Sequence, residues 1–204
     1  MRRTQQDRSA ATRAALTAAA RELFTERGYQ AVPADEIVRA AGVTRGALYH
    51  HYGDKLGLFR AVFEEIEQEF TEYVRGVVDA APDLATGLFS AMPAMLDACE
   101  RPDIRRIALI EGPTVLGWHE WREVEAGYGL GLIVDLLERA IEAELIPSQP
   151  VDMLAPMILS AVMEAALVVA NSADPARARA DAERVIAAWG VGLMTPVDQA
   201  GPLP

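Results

Sequence analysis

Residues 33–55 read PADEIVRAAGVTRGALYHHYGDK, and this stretch decides the fold prediction. Ile37 and Val38 lie at helical spacing on the apolar face of a short helix. Gly42 follows that helix, at a position where glycine is favoured because it adopts positive φ without a Cβ clash. Thr44 then takes the N-cap position of a second helix, and we expect its hydroxyl to accept a backbone N–H from the first turn. The stretch therefore predicts two short helices joined by a tight turn.

The second helix, 45–52, has little apolar surface of its own. Leu48 is its one clear core anchor, and the other positions carry Arg, Gly, Ala, Tyr and His. A helix of this composition presents its remaining surface to a partner. A helix, a glycine turn and a short polar helix form the helix-turn-helix arrangement, in which the second helix enters the DNA major groove. The alternative is a helical hairpin with a solvated face.

The distribution of charge supports a DNA partner despite a net charge of −11 over 204 residues. Residues 1–57 hold nine Lys/Arg and six Asp/Glu, a net charge of +3. Residues 58–204 hold ten and twenty-four, a net charge of −14. A basic N-terminal part on a strongly acidic remainder is typical of a DNA-binding head with a body that does not bind DNA.

Helical periodicity continues along the chain, with no alternating strand pattern, internal repeat or Gly-rich phosphate loop. After a disordered arm at 1–8, the first helix is predicted to begin near Ser9 or Thr12 and to end at Gly28. The further predicted helices cover 55–80, 83–100 with an interruption or a bend at Pro93, 103–111 up to a break at Gly112-Pro113, 117–145, 152–171 and 175–194.

The run GVTRGALYHHY at 42–52, followed by Asp54-Lys55 and Leu58-Phe59, closely resembles the DNA-binding domain of the TetR/AcrR-type one-component transcriptional regulators. The resemblance continues through the first helix and, more loosely, through the whole chain. It implies an all-α fold with an N-terminal three-helix helix-turn-helix domain at 1–55. A C-terminal helical ligand-binding and dimerisation domain follows at 56–195, with a disordered tail at 196–204.

The same resemblance implies phosphate contacts at both ends of the recognition helix, from Thr44 and Lys55. Arg45 is expected to read a base, because a guanidinium can bond guanine O6 and N7 together. Tyr49 is expected to pack its ring on the sugar-phosphate backbone. Pro33 departs from the family pattern, which often has Thr or Ser at the start of the second helix, so a hydroxyl contact to phosphate is not expected there.

We expect different roles for the remaining residues of the recognition helix, 45–52. Gly46 and Ala47 are small, so the helix can lie close to the base edges. His50 is expected to reach phosphate or a base, and His51 either contacts phosphate or packs internally. For Tyr52, sealing the small core against the first helix is the favoured expectation.

The helix at 152–171 is apolar nearly all round, and Glu164 is the only charge between residues 153 and 170. A helix that is apolar on every face lies either at the centre of the body or in a protein–protein interface. The resemblance implies that the helices 152–171 and 175–194 pair with their copies in a homodimer. A two-fold dimer in turn implies a palindromic operator in double-stranded DNA.

A small-molecule effector of unknown identity is expected to bind in the body. The candidate lining residues supply adaptable apolar and aromatic surface, with packing in the core as the alternative for each: Met92, Met95, Trp118, Trp121, Met157 and Met163. Glu111 and Glu164 are candidates because each lies in an otherwise uncharged run, where a carboxylate needs a partner. That partner is structural or a cationic ligand, and structural pairing is favoured.

The sequence thus predicts a repressor released from its operator by an effector, and the competing prediction is an effector-independent dimeric DNA-binding or protein-interaction module. No enzyme, cofactor or metal site is expected, since His119 and Glu123 form an i, i+4 pair without further ligands. A single cysteine, Cys99, excludes an internal disulfide and is expected in the core. No secretory signal or uncharged run of about 18 apolar residues is found, so we expect a cytoplasmic protein with no membrane segment.

Overall fold

A computed structural model describes residues 5–194 of the chain, and this part is helical without any strand. The all-α prediction is therefore confirmed. In chain order the elements are α1 (Gln5–Arg27), α2 (Ala34–Ala40), α3 (Arg45–Tyr52), α4 (Lys55–Asp79), α5 (Leu84–Cys99), a π-helix (Ile104–Glu111), α6 (Gly112–Leu116), α7 (Trp118–Gly127), α8 (Gly129–Glu142), α9 (Val151–Asn171) and α10 (Pro175–Leu193).

The described residues form two compact units. The first combines residues 5–68 with 101–124, and the second combines 69–100 with 125–194. The boundaries fall within α4 and α7, so neither unit is a continuous stretch of chain. The domain limit at residue 55 stays a prediction, and this division differs from it by grouping 101–124 with the N-terminal helices.

The first unit is built on an aromatic core. Phe24 of α1 and Phe59 of α4 are fully buried, with ring centroids 5.5 Å apart, and the Tyr29 ring lies 5.2 Å from Phe59. Leu48 of α3 is also fully buried, which confirms it as the anchor of that helix. The short helices α2 and α3 bury few residues of their own, and both pack against α1 and against each other.

An ion cluster adds a polar contact to the first unit. Asp103 precedes the π-helix and accepts a 2.6 Å hydrogen bond from Nη2 of Arg21 on α1. It also accepts hydrogen bonds from Arg101 at 2.9 Å and from the backbone N–H of Ile104 at 2.9 Å. The carboxylate therefore joins α1 to the start of the π-helix.

The second unit packs α9 against α5, α8 and α10. α8 buries one face, which includes Leu132 and Leu136, and Cys99 at the end of α5 is buried as expected. α9 is the one helix of the described chain that is long and apolar enough to cross a membrane by length and composition. α10 buries none of its residues.

Several predicted helix limits are wrong. α1 begins at Gln5, so residues 5–8 of the predicted arm are helical, and Asp7 lies in the first turn, where an acidic residue favours the helix dipole. The rest of that arm and the predicted disordered tail at 196–204 lie outside the described residues. Residues 104–111 form a π-helix, which has one more residue in each hydrogen-bonded turn than an α-helix.

The predicted break at Gly112-Pro113 is also wrong. α6 follows the π-helix directly, because proline is tolerated in the first turn of a helix. The chain turns instead at Gly117, with φ of +78°. The predicted single helix over 117–145 is two helices, separated at Tyr128 (φ −129°, ψ −104°).

Candidate nucleic-acid interface

The turn between α2 and α3 has the predicted geometry. Gly42 has φ of +66°, and the Val43 N–H donates to the Val38 carbonyl at 3.2 Å. Thr44 has the extended backbone of an N-cap residue, but its hydroxyl makes no capping hydrogen bond, so that expectation is wrong. The Thr44 carbonyl instead accepts the Ala47 N–H at 3.0 Å, and the exposed hydroxyl keeps its hydrogen-bonding capacity for another partner.

α3 exposes most of the residues predicted to contact DNA. Arg45, Gly46, Tyr49 and His50 are exposed, and Ala47 is half-buried. Leu48 points the other way into the core, so a single buried anchor holds the helix while the rest of its surface remains open. The His50 and His51 rings lie 4.9 Å apart between centroids.

The guanidinium of Arg45 has two side-chain partners. Its Nη1 lies 3.2 Å from Oδ1 of Asp35 on α2, and its Nη2 donates to the Tyr49 hydroxyl at 3.2 Å. The guanidinium carbon also lies 5.5 Å from the centroid of the Tyr49 ring. The hydrogen bond with Tyr49 and the charge of Asp35 raise the pKa of Arg45 above its ordinary value. Asp35 was not among the residues predicted from the sequence.

Lys55 occupies an internal position. Its Nζ donates to the backbone carbonyls of Tyr29 at 2.9 Å and Val32 at 3.1 Å, and lies 3.9 Å from the centroid of the Tyr29 ring. Burial lowers the pKa of Lys55, and the Glu111 carboxylate opposes that shift. Lys55 therefore closes the segment between α1 and α2, a structural role that the sequence did not predict.

Tyr52 packs against α1 as expected. Its hydroxyl donates to the Arg13 carbonyl at 3.2 Å, and the Arg13 guanidinium carbon lies 5.7 Å from its ring centroid. Burial raises the pKa of Tyr52, and the hydrogen bond and positive charge of the Arg13 side chain oppose that shift. Asp54 accepts the Gly57 N–H at 2.8 Å and so caps the first turn of α4.

The second unit contains an apolar cavity of about 690 Å³ between α5, α9 and α10, which is partly open to solvent because its lining includes the exposed Met157 and Trp189. A smaller cavity of about 140 Å³ extends toward α8 and shares lining residues with it, among them Leu88, Met92 and Ile158. Of the predicted ligand residues, Met92 lines both cavities, Met157 lines the larger and Met95 the smaller. The α10 residues of the lining were not predicted.

The other predicted ligand residues do not line these cavities. Glu111 accepts the Tyr29 N–H at 2.8 Å in the first unit, which is the structural pairing favoured from the sequence. Trp118 and Trp121 are also in the first unit, with ring centroids 5.4 Å apart. In the second unit, Met163 and Glu164 of α9 lie outside both linings, and Glu164 is exposed.

One charged residue, Glu183, lies in the lining of the larger cavity. Its carboxylate accepts a 2.9 Å hydrogen bond from Nε of Arg179. The same guanidinium pairs with Asp97 at 2.5 Å and Glu100 at 2.6 Å. Glu183 therefore belongs to a cluster of three carboxylates on one arginine, and this cluster has a net negative charge beside the cavity. Among residues 5–194, no group of three or more potential metal ligands occurs.

Comparison with known families identifies both parts of the chain. The family described as "Bacterial regulatory proteins, tetR family" matches residues 16–62, and "Tetracyclin repressor-like, C-terminal domain" matches residues 85–193. The chain belongs to the TetR family of transcriptional regulators. The helix-turn-helix at α2 and α3 is thus the DNA-binding element of a TetR-family regulator, and the family consists of regulators rather than enzymes.

Relatives of known sequence or structure agree with this assignment. The Transposon Tn10 TetC protein of Escherichia coli is 28% identical over 167 residues, which cover 82% of this chain and 84% of that protein. The transcriptional repressor BepR of Brucella suis is 47% identical over 62 residues, 30% of this chain and 29% of that protein. A solved TetR-family regulator from Pectobacterium atrosepticum is 32% identical with a TM-score of 0.79, covering 95% of this chain and 99% of that one.

Proposed function

We propose that this TetR-family regulator is a cytoplasmic homodimeric repressor that binds a palindromic operator and leaves it when an apolar effector binds. The exposed Arg45 and Tyr49 on α3 are the main support for DNA reading at this helix. A guanidinium that is held on an aromatic ring at the surface presents two parallel donors to guanine. The matched families supply the DNA-binding class, and these side chains supply the proposed base contact.

Several residues around Arg45 are proposed to position the helix on the duplex. The Thr44 hydroxyl is free of a capping bond and can reach phosphate. Gly46 and Ala47 allow close approach to the base edges, and His50 supplies a further exposed donor. Lys55 begins α4 three residues after the end of α3, and its charge is proposed to attract phosphate even though its Nζ donates to two backbone carbonyls.

The dimer is proposed to form through α9 and α10. Large apolar side chains on these helices that lie outside the lining of the larger cavity are exposed in the single chain, with exposed fractions above one half: Met153, Val168, Val185 and Val191. A patch of this kind is typical of an interaction surface. A two-fold pair of chains would present two α3 helices, which requires a palindromic operator.

The effector is proposed to bind in the apolar cavity of the second unit. Its volume of about 690 Å³ lies in the range of small-molecule sites. Because Glu183 and its neighbours place negative charge beside the cavity, we expect an apolar molecule without a carboxylate. A coupling of about 1–3 kcal/mol between the two sites would lower operator affinity about 5–150-fold. The cavity supports this proposal over an effector-independent module, for which a closed core is expected.

The proposed function is tested by selecting binding sites for the full chain from random double-stranded DNA. We expect an enriched palindrome, and Arg45→Ala is expected to lose about 1–3 kcal/mol of selectivity at the position that Arg45 reads. Thr44→Ala, by contrast, should weaken all sequences alike, because phosphate carries no sequence information. No enrichment by the wild type, or an unchanged preference in Arg45→Ala, would refute base reading by α3.

A further inference from the structure

We propose that Asp35 of α2 is a positioning residue that fixes the guanidinium of Arg45 and thereby contributes to operator selectivity. This inference rests on the proposed function, because it requires Arg45 to read a base. It adds a residue outside the recognition helix to the set that determines which sequence is bound.

The geometry gives Arg45 one defined orientation. Nη1 of Arg45 contacts both oxygens of Asp35, at 3.2 Å and 3.3 Å, and Nη2 donates to the Tyr49 hydroxyl at 3.2 Å. Asp35 lies in the first turn of α2, ten residues before Arg45, and Tyr49 lies one helical turn after Arg45 on α3. The carboxylate, the hydroxyl and the aromatic ring therefore hold the guanidinium from two helices at once.

This arrangement leaves enough donors for a base. A guanidinium has five N–H donors, and the contacts with Asp35 and Tyr49 engage one on Nη1 and one on Nη2. Bidentate recognition of guanine O6 and N7 needs two of the three that remain. A long side chain that is already oriented loses less conformational freedom on binding, so the fixed arginine discriminates between bases better than a mobile one.

The position of the carboxylate favours a role in recognition over a role in stability. The Asp35 and Arg45 side chains are 65% and 60% exposed, and an ion pair this exposed contributes little to the folded state. The first helix of a helix-turn-helix crosses the DNA backbone, so a carboxylate on α2 repels phosphate. Asp35 should thus reduce affinity for DNA of any sequence while it improves the choice of sequence.

The neighbouring residue provides a matched control. Glu36 also lies in the first turn of α2, but its carboxylate pairs with Arg27 of α1 at 2.7 Å and has no contact with Arg45. Asp35→Asn and Glu36→Gln each remove one negative charge from the same turn. Only Asp35→Asn removes the carboxylate from the base-reading arginine.

The test measures affinity of the full-length protein for its selected operator and for random DNA at fixed salt concentration. Asp35→Asn is expected to bind random DNA about twofold to threefold more tightly, because one phosphate repulsion is lost. Its ratio of operator to random affinity is expected to fall about threefold to tenfold, with the loss confined to the base pair that Arg45 reads. Glu36→Gln should keep the wild-type ratio, and Asp35→Glu should retain more selectivity than Asp35→Asn.

The Arg45→Ala background distinguishes failure of the positioning role of Asp35 from failure of base reading by Arg45. In that background Asp35→Asn should cause no further loss of selectivity, since the residue acts through Arg45. If Asp35→Asn still lowers selectivity in the Arg45→Ala background, the positioning role is overturned while base reading by Arg45 stands. The same conclusion follows if Asp35→Asn and Glu36→Gln have equal ratios of operator affinity to random-DNA affinity. If Arg45→Ala itself keeps wild-type selectivity, base reading fails and the role of Asp35 fails with it.

Discussion

The carboxylate of Glu111 accepts the backbone N–H of Tyr29 at 2.8 Å, across 82 positions of sequence. Tyr29 follows Gly28, which ends α1 with φ of +82°. A Cβ on Gly28 would overlap the other carboxylate oxygen of Glu111. The end of the π-helix is thus fitted to the end of α1, and the absence of a side chain at residue 28 permits the contact.

This contact predicts that two glycine substitutions lower the free energy of unfolding by different amounts. Gly42 also has positive φ, but a Cβ there would meet nothing within 4 Å. Gly42→Ala should therefore cost only backbone strain, about 1–2 kcal/mol of unfolding free energy. Gly28→Ala should cost about 1–3 kcal/mol more, because it displaces Glu111 and leaves the Tyr29 N–H without its acceptor.

Urea denaturation at one protein concentration measures both costs. The additional loss should disappear when Gly28→Ala is made in a Glu111→Ala background. Equal losses for the two glycine variants in the wild-type background would contradict the proposed fit between Gly28 and Glu111.

Replacing Lys55 should destabilise the free protein. Lys55→Ala leaves the carbonyls of Tyr29 and Val32 without their shared donor, so we expect a loss of about 1–3 kcal/mol in unfolding free energy. Arg39→Ala removes an exposed cation from α2 and should change stability by no more than about 0.5 kcal/mol. If both variants unfold like the wild type, the ammonium does not stabilise the segment between α1 and α2.

Stability should fall in acid through Asp103. Burial alone would raise the pKa of Asp103, but hydrogen bonds from Arg101, Arg21 and the Ile104 N–H outweigh it and lower that pKa to about 2. A carboxyl with a lowered pKa contributes stability above its ordinary value of 3.8, and this contribution is lost as the pH falls toward 2. The loss is at most about 2 kcal/mol.

Denaturation of the wild type and Asp103→Asn at pH 5 and pH 2.5 measures the pH-dependent contribution of Asp103 to the free energy of unfolding. The variant should be the less stable protein at pH 5 and should lose less stability between the two pH values. The same acid dependence in both proteins would assign the effect to other carboxylates.

A charge on the proposed dimer face should separate the subunits. Val185 of α10 is 52% exposed in the single chain. We expect Val185→Asp to sediment as a monomer at concentrations where the wild type is a dimer, because burying an unpaired carboxylate is costly. Ala176→Asp introduces the same charge at the start of α10, where it favours the helix dipole, and should remain dimeric. A dimeric Val185→Asp would place the interface elsewhere.

The cavity should bind apolar molecules. N-phenyl-1-naphthylamine is neutral and fluoresces in apolar sites, and its sulfonated counterpart 8-anilinonaphthalene-1-sulfonate is an anion of similar shape. The wild type should bind the neutral probe more tightly, because the charge beside the cavity is negative. Met92→Trp should reduce binding by filling space, whereas Met163→Trp changes a methionine outside the lining. Equal binding by the two variants would exclude the cavity as the site.

Features set by local sequence could be predicted. α3 has the predicted bounds, since Gly42 and Leu48 act within a few residues of their own positions. The π-helix and the break at Tyr128 were missed, because apolar spacing over a few turns does not distinguish one helical winding from another. The contacts that Lys55 and Asp35 make within the protein were missed for another reason. Their partners lie ten to twenty-six residues away, and only the packed helices bring them together.

α10 has no buried residue in the single chain, and this has a consequence for how much regulator a cell must hold. α10 contacts α9 and α5 with side chains that stay at least partly exposed, so a partner that packs on this helix would add to its stability. With α10 in the proposed dimer, the melting temperature rises with protein concentration by mass action. Dilution would then lower the stability of α10 as it separates the subunits, so the concentration of the chain in the cell would itself set the threshold for repression.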